Sequence, residues 1–217
     1  LHGGPTHLFQ YWYNTFSARG KYIAILSGDD YWTDSSKLKK QVSSLEENQE
    51  YVLSHHDGTV VDSNGNVEKK SQLARKNQCD HSSEELMKAP FLITCSLLFR
   101  NRISKFPDAI AKCVNEDKLL VGLLGQFGKG KYCSDSKMSA YREHRKSKWS
   151  SLEWLNKKKM LLTLSEELKS YYIYINKEKM YKHYVKMTST GSYLYHLRKR
   201  EDGRAIRYGV KSVSVME

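Results

Sequence analysis

Two adjacent carboxylates, Asp29 and Asp30, follow a short apolar run at Tyr22–Leu26. The run contains two isoleucines and lies between two glycines, a pattern that favours a buried strand over a helix. A strand that ends in Gly-Asp-Asp places its carboxylates at the edge of a sheet, where open α/β folds bind ligands. Two oxygen ligands at such an edge can hold Mg²⁺ or Mn²⁺, and the cation can in turn hold a diphosphate. A solvated acidic turn is the structural alternative.

Glu116 and Asp117 form a second acidic pair, at the start of a predicted buried helix over Asp117–Phe127. Backbone N–H groups at a helix start can orient a carboxylate. A carboxylate held in this way can take the proton from an attacking hydroxyl group. Asp117 is therefore a candidate catalytic base and Glu116 its alternative, although both residues could simply cap the helix.

The segment Tyr141–His144 has the pattern Tyr-Arg-x-His. Arg142 carries a planar fork of donors that suits phosphate oxygens, and the His144 imidazole is a common metal ligand. These side chains could bind a diphosphate, and His144 could share a cation with Asp29 and Asp30. An ordinary polar strand end explains the pattern equally well.

Hydrophobic spacing and turn residues predict several further elements. Leu38, Val42 and Leu45 predict a helix over Lys37–Glu47. Ser82 and Glu85 have the spacing of a capping box, and Ser63-Asn64-Gly65-Asn66 predicts a hairpin turn. An apolar run at Ile93–Arg100 predicts a second buried strand.

Two regions of different character are expected along the chain. Strands mix with helices in residues 1–150, which favours an α/β domain. Residues 151–217 form a basic, Tyr-rich extension with helical patterns over Leu152–Leu168 and Tyr171–Met187, followed by a break over residues 188–192.

Positive charge is concentrated in this extension. Of a net charge of +12 over 217 residues, the extension contributes 14 Lys and Arg against 7 Asp and Glu. A basic tail can contact anionic lipid, nucleic acid or phosphorylated substrates, but it is more often a solvated helix face. Because no KH loop or RRM aromatic motif is present, nucleic-acid binding is the weaker interpretation.

The apolar runs and the cysteines indicate a cytoplasmic protein. No apolar run approaches the roughly 20 residues that span a bilayer, and the first residues do not resemble a signal peptide. The chain does not begin with Met, so we expect it to be a piece of a longer protein. The four cysteines form no Cys-x-x-Cys pair, which favours reduced thiols over a zinc site; they are Cys79, Cys95, Cys113 and Cys133.

Three stretches resemble family 2 glycosyltransferases, the GT-A-fold enzymes of bacterial polysaccharide synthesis. Gly20–Asp57, which begins GKYIAILSGDDYW, resembles the strand, the metal-binding DxD turn and the helix that follows it. TCSLLFRN at Thr94–Asn101 is similar to the strand beside the acceptor site. Asn115–His144 is similar to the acceptor-site acid, its helix and a closing Tyr-Arg-x-His segment. The three stretches follow the family order and together cover about residues 3–150.

This resemblance implies an inverting, metal-dependent sugar transfer from a nucleotide-sugar donor to a hydroxyl group of a saccharide or lipid-linked acceptor. It implies Asp29 and Asp30 as ligands of Mg²⁺ or Mn²⁺, with His144 as a further ligand, and favours Asp117 over Glu116 as the base. Substrate contacts are then expected at Tyr31, Trp32 and Thr94, and donor contacts at Arg142 and His144. Tyr31 and Trp32 are equally plausible as core anchors for the helix that begins at Lys37.

Two departures from the family pattern are visible. Ser27 stands where the DxD motif usually begins with an acid. The first strands of the fold, which bind the nucleotide base and ribose, have no counterpart, so the chain is expected to be a partial GT-A domain. In that case the basic extension is expected to dock to the membrane surface through Lys157–Lys159 or to bind another subunit. A non-catalytic interaction fragment is the alternative.

Overall fold

The chain divides into two compact units in the computed structural model. One unit contains Leu1–Lys105 and Leu120–Ser150, and the other contains Phe106–Leu119 and Ser151–Glu217. The structure describes residues 15, 17–103, 115–134, 137–144 and 153–198, with side chains as far as residue 191.

The first unit contains eight short strands among its described residues, together with helices. The strands are β1 (Tyr22–Ala24), β2 (Tyr31–Trp32), β3 (Tyr51–His55), β4 (Thr59–Val61), β5 (Val67–Lys69), β6 (Leu98–Arg100), β7 (Lys129–Tyr132) and β8 (Ser139–Arg142). The helices are α1 (Lys37–Glu47) and α2 (Ser83–Met87), with 3₁₀ turns at Arg75–Asn77 and Thr94–Ser96; α3 (Glu116–Leu124) crosses the division between the units. The predicted α/β class is therefore confirmed.

Sheet A comprises four strands in the order β1-β6-β3-β7. β6 pairs antiparallel with both β1 and β3, and β3 pairs parallel with β7. Val52, Leu53, Leu98 and Phe99 are at most 2% exposed. Consecutive residues of β3 and β6 are buried, so both faces of these strands are covered and their sequences do not alternate between apolar and polar residues.

Sheet B comprises four strands in the order β2-β8-β4-β5. β8 pairs antiparallel with β2 and parallel with β4. The predicted hairpin turn joins β4 to β5, with Gly65 at φ +90°, a conformation that glycine adopts without strain. The pairing of β2 with β8 places Tyr31 opposite Ala140 and thereby carries the residues before β2 toward the end of β8.

Other local predictions are confirmed within a few residues. α1 has the predicted bounds, and α3 ends at Leu124 instead of Phe127. Ser82 and Glu85 form both hydrogen bonds of the capping box at the start of α2. The strand predicted over Ile93–Arg100 is shorter, because its first half forms the 3₁₀ turn Thr94–Ser96 and only Leu98–Arg100 pairs with neighbours.

The second unit contains two long helices, α4 (Trp154–Tyr174) and α5 (Glu178–Arg198). The Tyr172 and Tyr184 rings stack between them, with centroids 5.7 Å apart, and both residues are at most 1% exposed. Lys157–Lys159 lie near the start of α4, where Lys158 and Lys159 are exposed. No helix among the described residues has the length and apolar character needed to cross a membrane.

The break predicted over residues 188–192 was wrong, because α5 continues through it. A Cβ atom added to Gly191 would lie 2.6 Å from Leu162 Cδ2, so this glycine permits close packing of α5 against α4. The chain reverses instead near Asn176, which has φ +55° and follows the last turn of α4. Asparagine tolerates this left-handed conformation better than most residues.

Candidate functional site

The turn Ser27–Asp30 presents the two neighbouring carboxylates in different environments. The Asp30 N–H group donates to the Ser27 carbonyl oxygen at 3.2 Å, which closes the turn just before β2. Asp29 has a side chain that is 43% exposed, whereas Asp30 is only 8% exposed. The two acids are therefore not equivalent.

Asp29 pairs with His144 at the open side of this turn. Asp29 Oδ2 lies 3.1 Å from His144 Nε2, and the histidine side chain is 25% exposed. The pairing of β2 with β8 brings these residues together, although 115 positions separate them in the sequence. The sequence predicted both as metal ligands, and the structure places them side by side.

Asp30 points inward and is held by the end of β8. Its Oδ1 accepts a hydrogen bond from the Arg142 backbone N–H group at 2.9 Å. Burial raises the pKa of Asp30 to about 6 and the Asp29 charge adds to this effect, while the Arg142 N–H group and the Cys95 thiol oppose it. Burial also raises the pKa of Cys95 to about 12, so this thiol remains protonated near neutral pH.

The Arg142 guanidinium group links the acidic turn to the β4–β5 hairpin. Its Nε donates to the Asp29 carbonyl oxygen at 3.0 Å, and its Nη1 donates to the carbonyl oxygens of Asp62 and Ser63 at 2.8 and 3.0 Å. The group also lies 5.5 Å from the centroid of the Tyr31 ring. Arg142 thus positions the backbone that carries Asp29.

Tyr31 and Trp32 have different surroundings. Tyr31 is 37% exposed beside Arg142. Trp32 is half-buried, and its Nε1 donates to the Cys95 carbonyl oxygen at 3.0 Å. The Lys37 ammonium lies 4.6 Å from the Trp32 ring centroid, so Trp32 anchors the start of α1.

Lys37 is a fully buried lysine that the sequence did not single out. It is 0% exposed, and its ammonium donates to Gln41 Oε1 at 2.7 Å. Gln41 in turn donates to the carbonyl oxygen of Ser96 at 2.8 Å. Burial lowers the pKa of Lys37 to about 8. The apolar spacing of α1 did not predict that a charged residue at its first position would be buried.

Lys37 should make the stability of the protein depend on pH in the alkaline range. The folded state has the lower lysine pKa, so between about pH 8 and 10.5 the unfolded state binds more protons and stability rises with pH. The full effect is about 3 kcal/mol, from about 1.4 kcal/mol for each pKa unit. Lys37→Met lacks this contribution, so its stability relative to the parent should decline as pH rises.

Urea unfolding of the parent and of Lys37→Met, at about pH 7 and about pH 10, measures this difference. Lys39→Met, an exposed position on the same helix, is the matched control. Parallel pH dependence in the parent and Lys37→Met would contradict the lowered pKa.

Glu116 and Asp117 occupy the first turn of α3. They fall within Phe106–Leu119, which belongs to the second unit, whereas Asp29 and His144 belong to the first. Asp117 Oδ1 accepts a hydrogen bond from the Lys118 N–H group at 2.8 Å. Their catalytic roles stay a prediction.

Thr94, the remaining predicted substrate contact, is half-buried in the 3₁₀ turn at Thr94–Ser96.

Metal-ligating side chains are sparse in the described part of the chain. No group of three or more His, Cys, Asp and Glu side chains in that part is arranged to hold a metal ion. A cation at Asp29 and His144 would therefore take its other ligands from substrate oxygens and water. Cys79, Cys95 and Cys133 are not disulfide-bonded, and Cys113 lies outside the described residues.

The chain resembles proteins from mycobacteria. It is 32% identical over 136 residues to uncharacterized proteins of Mycobacterium bovis and of two strains of Mycobacterium tuberculosis. The match covers 62% of this chain and 38% of each relative, so the chain spans about two fifths of their length. No family model matches the chain. The names of these relatives assign no activity.

Proposed function

We propose that this chain is part of a metal-dependent inverting glycosyltransferase with a GT-A-like arrangement. It would move a sugar from a nucleotide-sugar donor to a hydroxyl group of a saccharide or lipid-linked acceptor, at the cytoplasmic side of cell-surface polysaccharide synthesis. The observation that carries this proposal is the approach of Asp29 and His144. Both come from stretches that resemble the family, and the pairing of β2 with β8 joins them.

The distance between these side chains suits a shared cation. Two ligands at adjacent positions of an octahedral ion, each about 2.1 Å from Mg²⁺, are about 3 Å apart. Asp29 Oδ2 and His144 Nε2 are 3.1 Å apart. Mg²⁺ commonly uses one or two carboxylates and completes its shell with substrate phosphates and water, which fits a pair of protein ligands on a half-exposed edge.

A bound Mg²⁺ or Mn²⁺ would stabilise the negative charge that develops on the leaving diphosphate. Asp29 and His144 would hold the cation, and Arg142 would keep the Asp29 backbone in place through its hydrogen bond to the Asp29 carbonyl oxygen. Asp30 would act as a positioning residue because its carboxylate faces the β8 backbone.

The acceptor side of the reaction depends on residues from other elements. Asp117 is the proposed base, with Glu116 as its alternative, and attack opposite the leaving group would invert the anomeric carbon. Tyr31 is the better placed of the two aromatic residues for contact with the donor, because it is exposed while Trp32 anchors α1. Thr94 would lie beside the acceptor, as the resemblance implies.

The second unit is proposed to serve attachment. Lys158 and Lys159 are exposed near the start of α4, and the neighbouring Trp154 is 50% exposed. Basic residues beside an exposed tryptophan favour contact with an anionic membrane surface. A site on the cytoplasmic face would bring the enzyme to lipid-linked acceptors.

The test combines Mn²⁺ binding with donor hydrolysis. Electron paramagnetic resonance of free Mn²⁺ reports binding directly, with UDP and GDP each added as a diphosphate partner. Release of nucleoside diphosphate from a panel of UDP-, GDP- and dTDP-sugars reports activity. Mn²⁺ binding that strengthens with a nucleotide, together with Mn²⁺-dependent hydrolysis, would support the proposal. A chain that binds no Mn²⁺ under either condition would contradict it.

A further inference from the structure

A polar cavity of about 430 Å³ opens beside sheet B, apart from the Asp29–His144 pair. Asp57 precedes β4 and Lys137 precedes β8, so the cavity lies where these parallel strands begin. Its volume falls in the range that holds a small ligand. The lining residues that matter here are Asp57, Leu73, Arg75, Gln78, Tyr132 and Lys137.

Asp57, the buried acid of this cavity, already accepts hydrogen bonds from the protein backbone. Asp57 Oδ1 accepts hydrogen bonds from the N–H groups of Gly58, Gln72 and Leu73 at 2.9–3.0 Å. Burial raises the pKa of Asp57, but the hydrogen bonds outweigh this effect and hold the pKa below its usual value. Asp57 Oδ2 lies 3.6 Å from Lys137 Nζ, so the two charges offset each other.

Arg75 and Tyr132 are the groups left for a ligand. Across the described residues, neither the Arg75 guanidinium nor the Tyr132 hydroxyl has a hydrogen-bond partner. Arg75 is exposed, and with Asp57 and Lys137 balanced it gives the cavity a net positive charge. Its planar fork of donors matches a carboxylate or a phosphate group.

The remaining lining suits a ring that carries hydroxyl groups. Gln78 Nε2 donates to the Leu73 carbonyl oxygen at 2.8 Å, so its amide oxygen remains as an acceptor. The Tyr132 ring packs against the cluster of Leu73, Ile93 and Cys95 and offers apolar surface beside a hydroxyl group. Apolar surface, an acceptor and an anion-binding group in one cavity match a sugar that bears an acidic group.

We propose that this cavity binds an acidic saccharide unit of the acceptor, with Arg75 on the acidic group and Tyr132 and Gln78 on the ring. The assignment to the acceptor rests on the proposed function. The cavity and the Asp29–His144 pair lie toward opposite ends of β8. Lys137 lines the cavity before the strand and His144 follows the strand, so roughly 20 Å of extended chain separates these two residues. That separation suits a sugar unit several positions away from the one that reacts, in an oligosaccharide acceptor.

Isothermal titration calorimetry of the whole chain, without metal or nucleotide, tests the proposal. The probes are methyl β-glucuronide and glucose 6-phosphate, with methyl β-glucoside as the neutral analogue and inorganic phosphate and acetate as free anions. At least one acidic sugar is expected to bind about tenfold or more tightly than the glucoside. Comparing the two acidic sugars shows which acidic group the cavity takes.

Three variants connect the binding to the cavity. Arg75→Gln should lower the affinity for the acidic sugar about tenfold, and Tyr132→Phe should lower this affinity about threefold. Lys76→Gln, an exposed position in the same 3₁₀ turn and outside the cavity lining, should leave affinity unchanged. Arg75 is exposed, so its replacement does not threaten folding.

Three outcomes would overturn the proposal. These are equal affinity for the glucoside and both acidic sugars, equal effects of Arg75→Gln and Lys76→Gln, and free anions that bind as tightly as the sugars. Because the titration uses neither Mn²⁺ nor a nucleotide sugar, its result is independent of the transferase test. If the chain binds an acidic sugar but does not bind Mn²⁺, the proposal for the cavity would be supported and the proposed enzymatic function would be contradicted.

Discussion

Replacing Asp29 by asparagine is expected to abolish Mn²⁺-dependent turnover of a nucleotide sugar and to weaken Mn²⁺ binding at least about tenfold. The amide keeps the size of the side chain but removes the charge that a hard cation requires. Because the Asp29 side chain is 43% exposed, the substitution should leave the fold intact. Paramagnetic resonance of free Mn²⁺ and release of nucleoside diphosphate are the two measurements.

Companion variants separate a ligand from a general charge effect. His144→Gln should also weaken Mn²⁺ binding, because His144 Nε2 lies 3.1 Å from Asp29 Oδ2 and would bind the same ion. Glu68→Gln removes the same charge from an exposed position of the edge strand β5 and should change nothing. Unchanged Mn²⁺ affinity in Asp29→Asn would remove this residue from the site.

Asp117→Asn provides the complementary test of the proposed base. It should lower the catalytic rate while leaving Mn²⁺ affinity and donor binding unchanged, because a base acts on the acceptor hydroxyl. A variant that loses rate, Mn²⁺ affinity and thermal stability together would instead identify Asp117 as a helix cap.

Replacing Arg100 by methionine is expected to destabilise the first unit by about 3–5 kcal/mol. Arg100 is 6% exposed and donates to three acceptors on different elements. Its Nε reaches the Tyr51 carbonyl oxygen at 2.9 Å, its Nη1 reaches the Tyr22 hydroxyl at 3.0 Å, and its Nη2 donates to the Leu45 carbonyl oxygen. Methionine fills much of the volume but removes all three hydrogen bonds, and of these acceptors the Leu45 carbonyl oxygen keeps the Asn48 N–H group as a donor at 3.3 Å.

Urea unfolding measures this loss, with Arg102→Met as the matched control on an exposed position two residues away. Arg100→Lys should retain part of the stability, since an ammonium restores the charge but cannot reach three separate acceptors at once. A loss in Arg100→Met no greater than in Arg102→Met would show that these hydrogen bonds add nothing to the fold.

Local features of this chain were predictable because they depend on neighbouring residues. The hairpin turn at residues 63–66 and the capping box at Ser82 and Glu85 were placed correctly, since each is specified by residues three or fewer positions apart. Gly191 shows the limit of such reasoning. The same residue that breaks an isolated helix allows two packed helices to approach closely, and only its contact with Leu162 distinguishes the two cases.

The sequence by itself determined that carboxylates follow a strand, that a Tyr-Arg-x-His segment lies far downstream, and that the first 150 residues mix strands with helices. Only the tertiary structure decided that Asp29 faces His144 while Asp30 turns inward, and that Lys37 is buried beneath Trp32. The physical reason is that backbone preferences act over a few residues. Strand pairing and burial instead depend on residues that are distant in the sequence and are known only once the chain has folded.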